Sequence, residues 1–189
     1  MLNVAILVSG GGTNLEAILT AKDEGLLLNA NISIVISNKR DAYALKRAEM
    51  HGIKSLYLSK DGFEDSLIKA LEDEEVSLIV LAGFLKILSA NFVKLYENKI
   101  INVHPSLIPS FCGKGYYGLK VHEEALKRGV KLTGATVHYV NEIPDGGKIL
   151  LQKAVAVMVG DTPEILQKRV MEEAEWHILP QAIDIISKE

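Results

Sequence analysis

Continuous apolar runs and helically spaced apolar positions alternate along most of the chain. Residues 3–9 (NVAILVS) are apolar almost throughout and stop at glycines, the pattern of a strand covered on both faces. Residues 14–27 place Leu15, Ile18 and Leu19 at helical spacing. A β-branched strand follows at 31–38, then a helix at 43–51 closed by Gly52. The pattern next predicts a short strand at 55–59, a helix at 63–75 and a buried strand at 77–83. Ser89 caps a helix reaching to about Tyr96, and the strand at 99–105 is stopped by Pro105. Beyond a helix at 121–128, strands at 133–140 and 148–158 read as a hairpin around Pro144-Asp145-Gly146-Gly147. Thr162 and Pro163 open a long C-terminal helix. The alternation predicts an α/β fold: a doubly wound, mostly parallel sheet with an antiparallel element near the C-terminal part. Ligands in such sheets bind at the carboxyl ends of the strands. Residues 1–189 read as one domain.

Composition narrows the class. Apolar residues make up 48% and charged residues 24%, as in ordinary water-soluble domains. The net charge of -3 argues against a nucleic-acid binder with a broad basic face. The single cysteine, Cys112, excludes an internal disulfide and fits a reducing compartment. The N-terminal residues lack a basic leader region, and the apolar stretch at 78–88 is broken by Lys86 and too short for a bilayer. The expectation is a cytoplasmic protein with no membrane and no nucleic-acid partner; self-association is left open. No Cys/His spacing suggests a metal site.

Three segments could carry chemistry. Ser9-Gly10-Gly11-Gly12-Thr13-Asn14 joins a strand to a helix start, where unpaired N–H groups and the helix dipole favour an anion. It lacks the Lys-Ser/Thr ending of a P-loop, and Leu15 stands where a dinucleotide fingerprint needs a small residue. A simple tight turn is the competing reading. The second segment is Asn102-Val103-His104-Pro105, at a strand end. Residues two apart share a face, with Cα atoms about 6.6 Å apart. A carboxamide donor beside an imidazole suits a carbonyl passing through an oxyanion; an Asn and a His satisfied by backbone are the alternative. The third is Asp145, which also fits a plain turn. His138 alternates with core residues of its strand and faces either core or site. Glu172, Glu173 and Glu175 read by default as a solvated helix face.

The segments SGGGTNLEAI, VISNK, LAGFLKILS, NVHPSLIPSF, TGATVHYV and DGGKILLQ, in this order, resemble the glycinamide ribonucleotide formyltransferase family over nearly the whole chain. The resemblance implies a Rossmann-like formyltransferase fold, 10-formyltetrahydrofolate as cosubstrate and the amine of glycinamide ribonucleotide as acceptor, in purine biosynthesis, without a metal. It implies Asn102, His104 and Asp145 as the catalytic set. Gly12, Thr13 and Asn14 would hold the substrate phosphate, and Glu175 would face its ribose. Leu85, Lys86, Ile87, Leu88, Val93 and Asn102 would border the folate, and Lys60 would contact it. One stretch departs from the family. Where relatives read Phe-Pro-Gly-Leu-His-x-His, the segment from Phe111 to His122 is five residues longer, with Cys112 in place of the proline and Lys120 in place of a histidine. Three glycines within residues 111–118 predict a loop that is mobile without ligand and borders the site.

The implied chemistry has Asn102 and a protonated His104 stabilising an oxyanion, with Asp145 favouring the imidazolium. The rivals are a methionyl-tRNA formyltransferase, expected to carry a further C-terminal domain, a 10-formyltetrahydrofolate hydrolase, expected to carry a further N-terminal one, and a non-catalytic nucleotide-binding module.

Overall fold

The computed structural model describes residues 1–189. Seven strands form one sheet: β1 (Leu2–Val8), β2 (Ala30–Ser37), β3 (Lys54–Tyr57), β4 (Leu78–Leu81), β5 (Ile100–His104), β6 (Leu132–Tyr139) and β7 (Ile149–Ala156). Their order is β3-β2-β1-β4-β5-β6-β7. The first five run parallel, β6 lies antiparallel to β5, and β7 returns antiparallel to β6. The chain order reverses between β1 and β4, which opens a crevice at their carboxyl ends.

The apolar run of β1 shows why the sheet is covered on both faces. Val4, Ile6 and Val8 belong to one core of 32 buried residues, while Ala5 and Leu7 belong to a second of 15. The larger core packs α1 (Thr13–Asp23), α2 (Tyr43–Met50), α5 (Leu119–Arg128), α6 (Pro163–Val170) and α7 (Trp176–Ile186) against the sheet. The smaller core packs α3 (Phe63–Asp73) and α4 (Ala90–Leu95) on the other face. Phe63, Leu67 and Leu71 of α3 are fully or nearly fully buried, a helical stripe of the period the sequence shows.

The differences from the sequence reading lie at element ends. The helix expected over 14–27 stops at Asp23, because Gly25 turns left-handed at φ 74° and its N–H closes on Lys22. The helix expected from 121 begins at Leu119. The C-terminal helix is not uniformly α: a π-helical turn, Met171–Glu175, lies between α6 and α7. No helix is long and apolar enough to cross a membrane.

Candidate active site

The glycine loop leaves β1 and is tied down by Ser9. The Ser9 hydroxyl donates to Asn38 Oδ1 at 2.7 Å and accepts from the Leu85 N–H at 2.9 Å. These bonds fasten the loop to the end of β2 and to the segment after β4. Gly12 then takes φ 75°, and a Cβ there would lie 2.6 Å from Ala44 Cβ, so the position admits only glycine. No side chain caps α1, which leaves its first-turn N–H groups to an anion. Arg47 of α2 donates through Nε to the Gly11 carbonyl at 2.9 Å and pairs with Glu16 at 2.6 Å. Nothing in the sequence marked this arginine, because its role depends on two helices meeting.

Asn14 and Glu175 come together at the far side of this loop. Asn14 Nδ2 donates to Glu175 Oε2 at 2.7 Å, both residues are buried, and Asn14 Oδ1 has no partner. Burial pushes the Glu175 carboxyl up to about 7, against the pull of the Asn14 donor. Glu172 and Glu173 are exposed, as the default reading held, but Glu175 is not. The π turn explains the exception. An extra residue is taken up locally, and Glu175 is turned inward toward α1.

The second cluster grows from β5 and the β6–β7 hairpin. Asn102 lies opposite His138 in the antiparallel register, and His104 opposite Thr136. Asn102 Nδ2 is 3.2 Å from His138 Nε2. His138 Nδ1 is 2.9 Å from the Tyr139 carbonyl. A carbonyl only accepts, so Nδ1 carries a proton, which leaves Nε2 of a neutral ring to accept from Asn102 or, in a protonated ring, to donate to Asp145. Asp145 reaches in between the two histidines: Oδ2 is 3.5 Å from His104 Nδ1 and Oδ1 is 3.5 Å from His138 Nε2. It does so from a left-handed backbone, φ 55°, a conformation Asp tolerates better than most residues. Gly147 completes the turn, since a Cβ there would lie 1.7 Å from the Tyr139 carbonyl oxygen.

The electrostatics correct one expectation. Burial pulls the His104 imidazole below its ordinary value; Asp145 and the Phe111 carbonyl oppose this, and His138 adds to it. Asp145 therefore favours the imidazolium, as the sequence reading required, but desolvation outweighs it and the neutral ring is preferred. Burial works to raise the Asp145 carboxyl, yet hydrogen bonds from His138 and the Gly113 N–H, with the fields of both imidazoles, hold it below the usual range. His138 is the site residue that the sequence left undecided. The available signal was its alternation on a strand paired with the Asn102 strand.

The expected folate-bordering residues are only partly gathered. Leu85 and Ile87 are exposed, at 64% and 83%, while Leu88 and Val93 are buried. Lys86 Nζ lies 5.2 Å from the centre of the Phe63 ring, which keeps this segment over α3. Val93 lines a cavity of about 460 Å³ with Tyr139, Val140, Asn141 and Gly147 of the hairpin that carries Asp145. Lys60 is exposed and makes no hydrogen bond or ion pair with the others. A larger cavity of about 610 Å³ lies between α1 and α7, bordered by Thr13, Arg47, Trp176 and Pro180. It contains none of the ionisable residues of the second cluster.

The long loop is more anchored at its start than its glycines suggested. His104 Nε2 is 2.9 Å from the Phe111 carbonyl, and the Gly113 N–H donates to Asp145 Oδ2 at 2.8 Å. Cys112, between them, is half-buried and donates to the Pro109 carbonyl. No group of three or more His, Cys, Asp or Glu residues is placed to hold a metal ion.

Residues 2–183 match the model of the formyl transferase family. The chain is 40% identical, over 97% of its length and 86% of the relative's, to a phosphoribosylglycinamide formyltransferase of Haemophilus influenzae. It is 43% identical over 98% of its length to the trifunctional purine biosynthetic protein adenosine-3 of Gallus gallus, but spans only 18% of that protein. Its structure superposes on the glycinamide ribonucleotide transformylase 1 of Symbiobacterium toebii with a TM-score of 0.91 and 38% identity, covering 100% of this chain and 88% of that one. The chain belongs to the formyl transferase family, among the phosphoribosylglycinamide formyltransferases.

Proposed function

We propose that the protein moves the formyl group of 10-formyltetrahydrofolate to the amine of glycinamide ribonucleotide, a step of purine biosynthesis. The observation that carries this reading is the convergence of Asn102, His104, His138 and Asp145 at the end of β5, one strand from the crevice that holds the glycine loop. Two separate anchoring points are what a bisubstrate transfer requires. The anion-binding loop fits a phosphate, and Glu175 with the unpartnered Asn14 Oδ1 fits a sugar hydroxyl beside it. The cavity of about 460 Å³ beside Val93 and the Asp145 hairpin is of a size for a flat bicyclic ring.

The folate supplies the formyl carbon, and the chain's own groups do the rest. Asn102, oriented through His138, offers an amide hydrogen to the formyl oxygen as it gains charge; one such donor is worth ~2.7–4 kcal/mol of barrier. His104 starts neutral and can accept the proton shed by the attacking amine. Asp145 then stabilises the cation so formed, and the same proton is available to the leaving nitrogen. The test is direct. The purified protein is mixed with 10-formyltetrahydrofolate, with and without glycinamide ribonucleotide. Formyl release only with the amine supports the proposal; equal release without it identifies a hydrolase, and none in either case a binding module.

A further inference from the structure

The His104–Asp145 pair is gripped at both ends by backbone of one short stretch. The Phe111 carbonyl faces His104 Nε2 at 2.9 Å, and the Gly113 N–H donates to Asp145 Oδ2 at 2.8 Å. Phe111 holds φ 49° and Gly113 φ 88°, so the stretch bends sharply enough for a carbonyl and an amide two residues apart to face the same pair. The carbonyl has a second anchor. The fully buried Ser106 hydroxyl donates to the Ser110 carbonyl at 2.5 Å and lies 3.4 Å from the Phe111 oxygen. The two ends of the imidazole are not equivalent. Nε2 is engaged by an acceptor at full hydrogen-bond length. Nδ1 is 3.5 Å from Asp145 Oδ2, beyond a good hydrogen bond, and that oxygen also accepts from the Gly113 N–H.

We infer that the Phe111 carbonyl is a positioning group that fixes neutral His104 with its proton on Nε2, so that Nδ1 alone takes up and returns the proton of the transfer. A carbonyl cannot donate, so any ring state bonded to it keeps a hydrogen on Nε2. Proton uptake at Nδ1 creates the cation where the Asp145 carboxylate stands, and the Gly113 amide prevents that carboxylate from swinging away. The balance is simple. The lone pair of the attacking amine forms the new bond to the formyl carbon, whose C=O pair moves to oxygen until the bond to the folate nitrogen breaks. The amine N–H bond breaks with its electron pair left on nitrogen, and a bond from the proton to Nδ1 forms. The proton then passes to the folate nitrogen, which gains the electron pair of its broken bond to the formyl carbon. His104 ends neutral, with Nε2 never deprotonated. The inference rests on the proposed transfer only for the role of Nδ1. The tautomer itself belongs to the free protein.

The experiment reads the two separately. Two-bond ¹H–¹⁵N correlation of histidine-labelled free protein, at a pH where the ring is neutral, should show His104 with Nε2 protonated and Nδ1 bare. A protonated Nδ1, or an even mixture, overturns the inference whatever the protein catalyses. Phe111→Gly suits the positive φ and removes the side chain that packs this stretch against the core, leaving the carbonyl with the Ser106 contact alone to hold its direction. It should mix the tautomers and lower kcat by ~10–10²-fold, while KM for both substrates changes little. Cys112→Ala, in the same stretch, should leave tautomer and kcat as they are. A Phe111→Gly variant that loses kcat with the tautomer unmoved would assign the carbonyl a merely structural part and overturn the inference. A wild-type protein with the expected tautomer but no transfer to the amine would count against the proposed function instead.

Discussion

The two ends of the site are built from different materials. At the glycine loop the groups proposed to bind are backbone N–H groups and a helix terminus, fixed by φ 75° at Gly12 and by the Arg47 prop. At the end of β5 the groups proposed to do the chemistry are side chains, with His104 and His138 set on either side of Asp145. The first end should respond to shape and hardly to pH. The second should respond to charge at constant shape. Glu175 breaks this division, being a titratable group at the backbone-built end, and it gives that end a pH effect on folding.

The largest expected effect tests the charge-built end. Asp145→Asn keeps the size of the side chain and removes its charge. Turnover should fall by at least ~10²-fold, with little change in glycinamide ribonucleotide binding. Because Asp145 is one of the two influences that raise the His104 pKa, imidazole titration by NMR should move further down in the variant. An unmoved titration, or near-normal turnover, would leave Asp145 as a turn residue only.

Gly12→Val tests the shape-built end. The added Cβ meets Ala44 Cβ at 2.6 Å and the backbone must leave φ 75°. KM for the phosphorylated amine should rise by ~10-fold or more while folate affinity is kept. The contact with α2 adds a second consequence that the sequence did not show, a loss of stability on the order of 1–3 kcal/mol. Equal losses of amine and folate affinity would erase the division between the ends.

Two further substitutions act through pH in opposite directions. Glu175 has its folded carboxyl raised from 4.5 to about 7, so the folded state holds a proton that the unfolded chain has released. Its contribution is fully present below pH 4.5 and is lost as pH rises through 7, on the order of 1–3 kcal/mol. Glu175→Gln should remove that loss in denaturation midpoints followed from pH 5 to pH 8. His122 is fully buried with neither ring nitrogen partnered, and burial, then His104, pull it from 6.5 to about 4. Its contribution is present above pH 6.5 and lost as pH falls through 4, so His122→Leu should resist acid better than wild type. Parallel curves for variant and wild type would sink either claim. The smallest effect expected is in the long loop. Limited proteolysis should cut near exposed Lys114, beyond the Gly113 anchor, and more slowly with both substrates bound. Unchanged cutting would deny the loop a role at the charge-built end.

The legible parts of this molecule were those written in local pattern. β1, β2, β4 and β5 were legible because strands covered on both faces run apolar almost without a break, β6 and β7 because Pro144-Asp145-Gly146-Gly147 parts them, and the glycine loop because few residues accept its backbone. Asn102 and His104 were found as a pair because strand geometry places residues two apart together. Asp145 stood as a candidate that a plain turn explained equally well, and only the family resemblance implied a catalytic role for it. What the sequence could not carry were meetings between distant elements. Arg47 reaches Gly11 from another helix, His138 becomes a site residue only through cross-strand register, and His104 is neutral because of how much protein surrounds it. The helix boundary at Asp23 was missed because residues 24–27 keep an apolar character that Gly25 overrides.

The π turn at Met171–Glu175 has a consequence for how this chain tolerates changes of length. One residue added to an ordinary helix rotates everything beyond it by about 100°, which here would carry Ile178, Leu179, Ala182 and Ile183 out of the core. A wide turn absorbs that rotation within five residues and returns the helix to its former phase. The insertion is thereby quarantined between a core-facing helix upstream and another downstream. Removing one exposed residue of the turn, Glu172 or Glu173, should restore a regular helix without unseating α7, whereas the same deletion one turn later, inside α7, would shift the phase of its whole buried face.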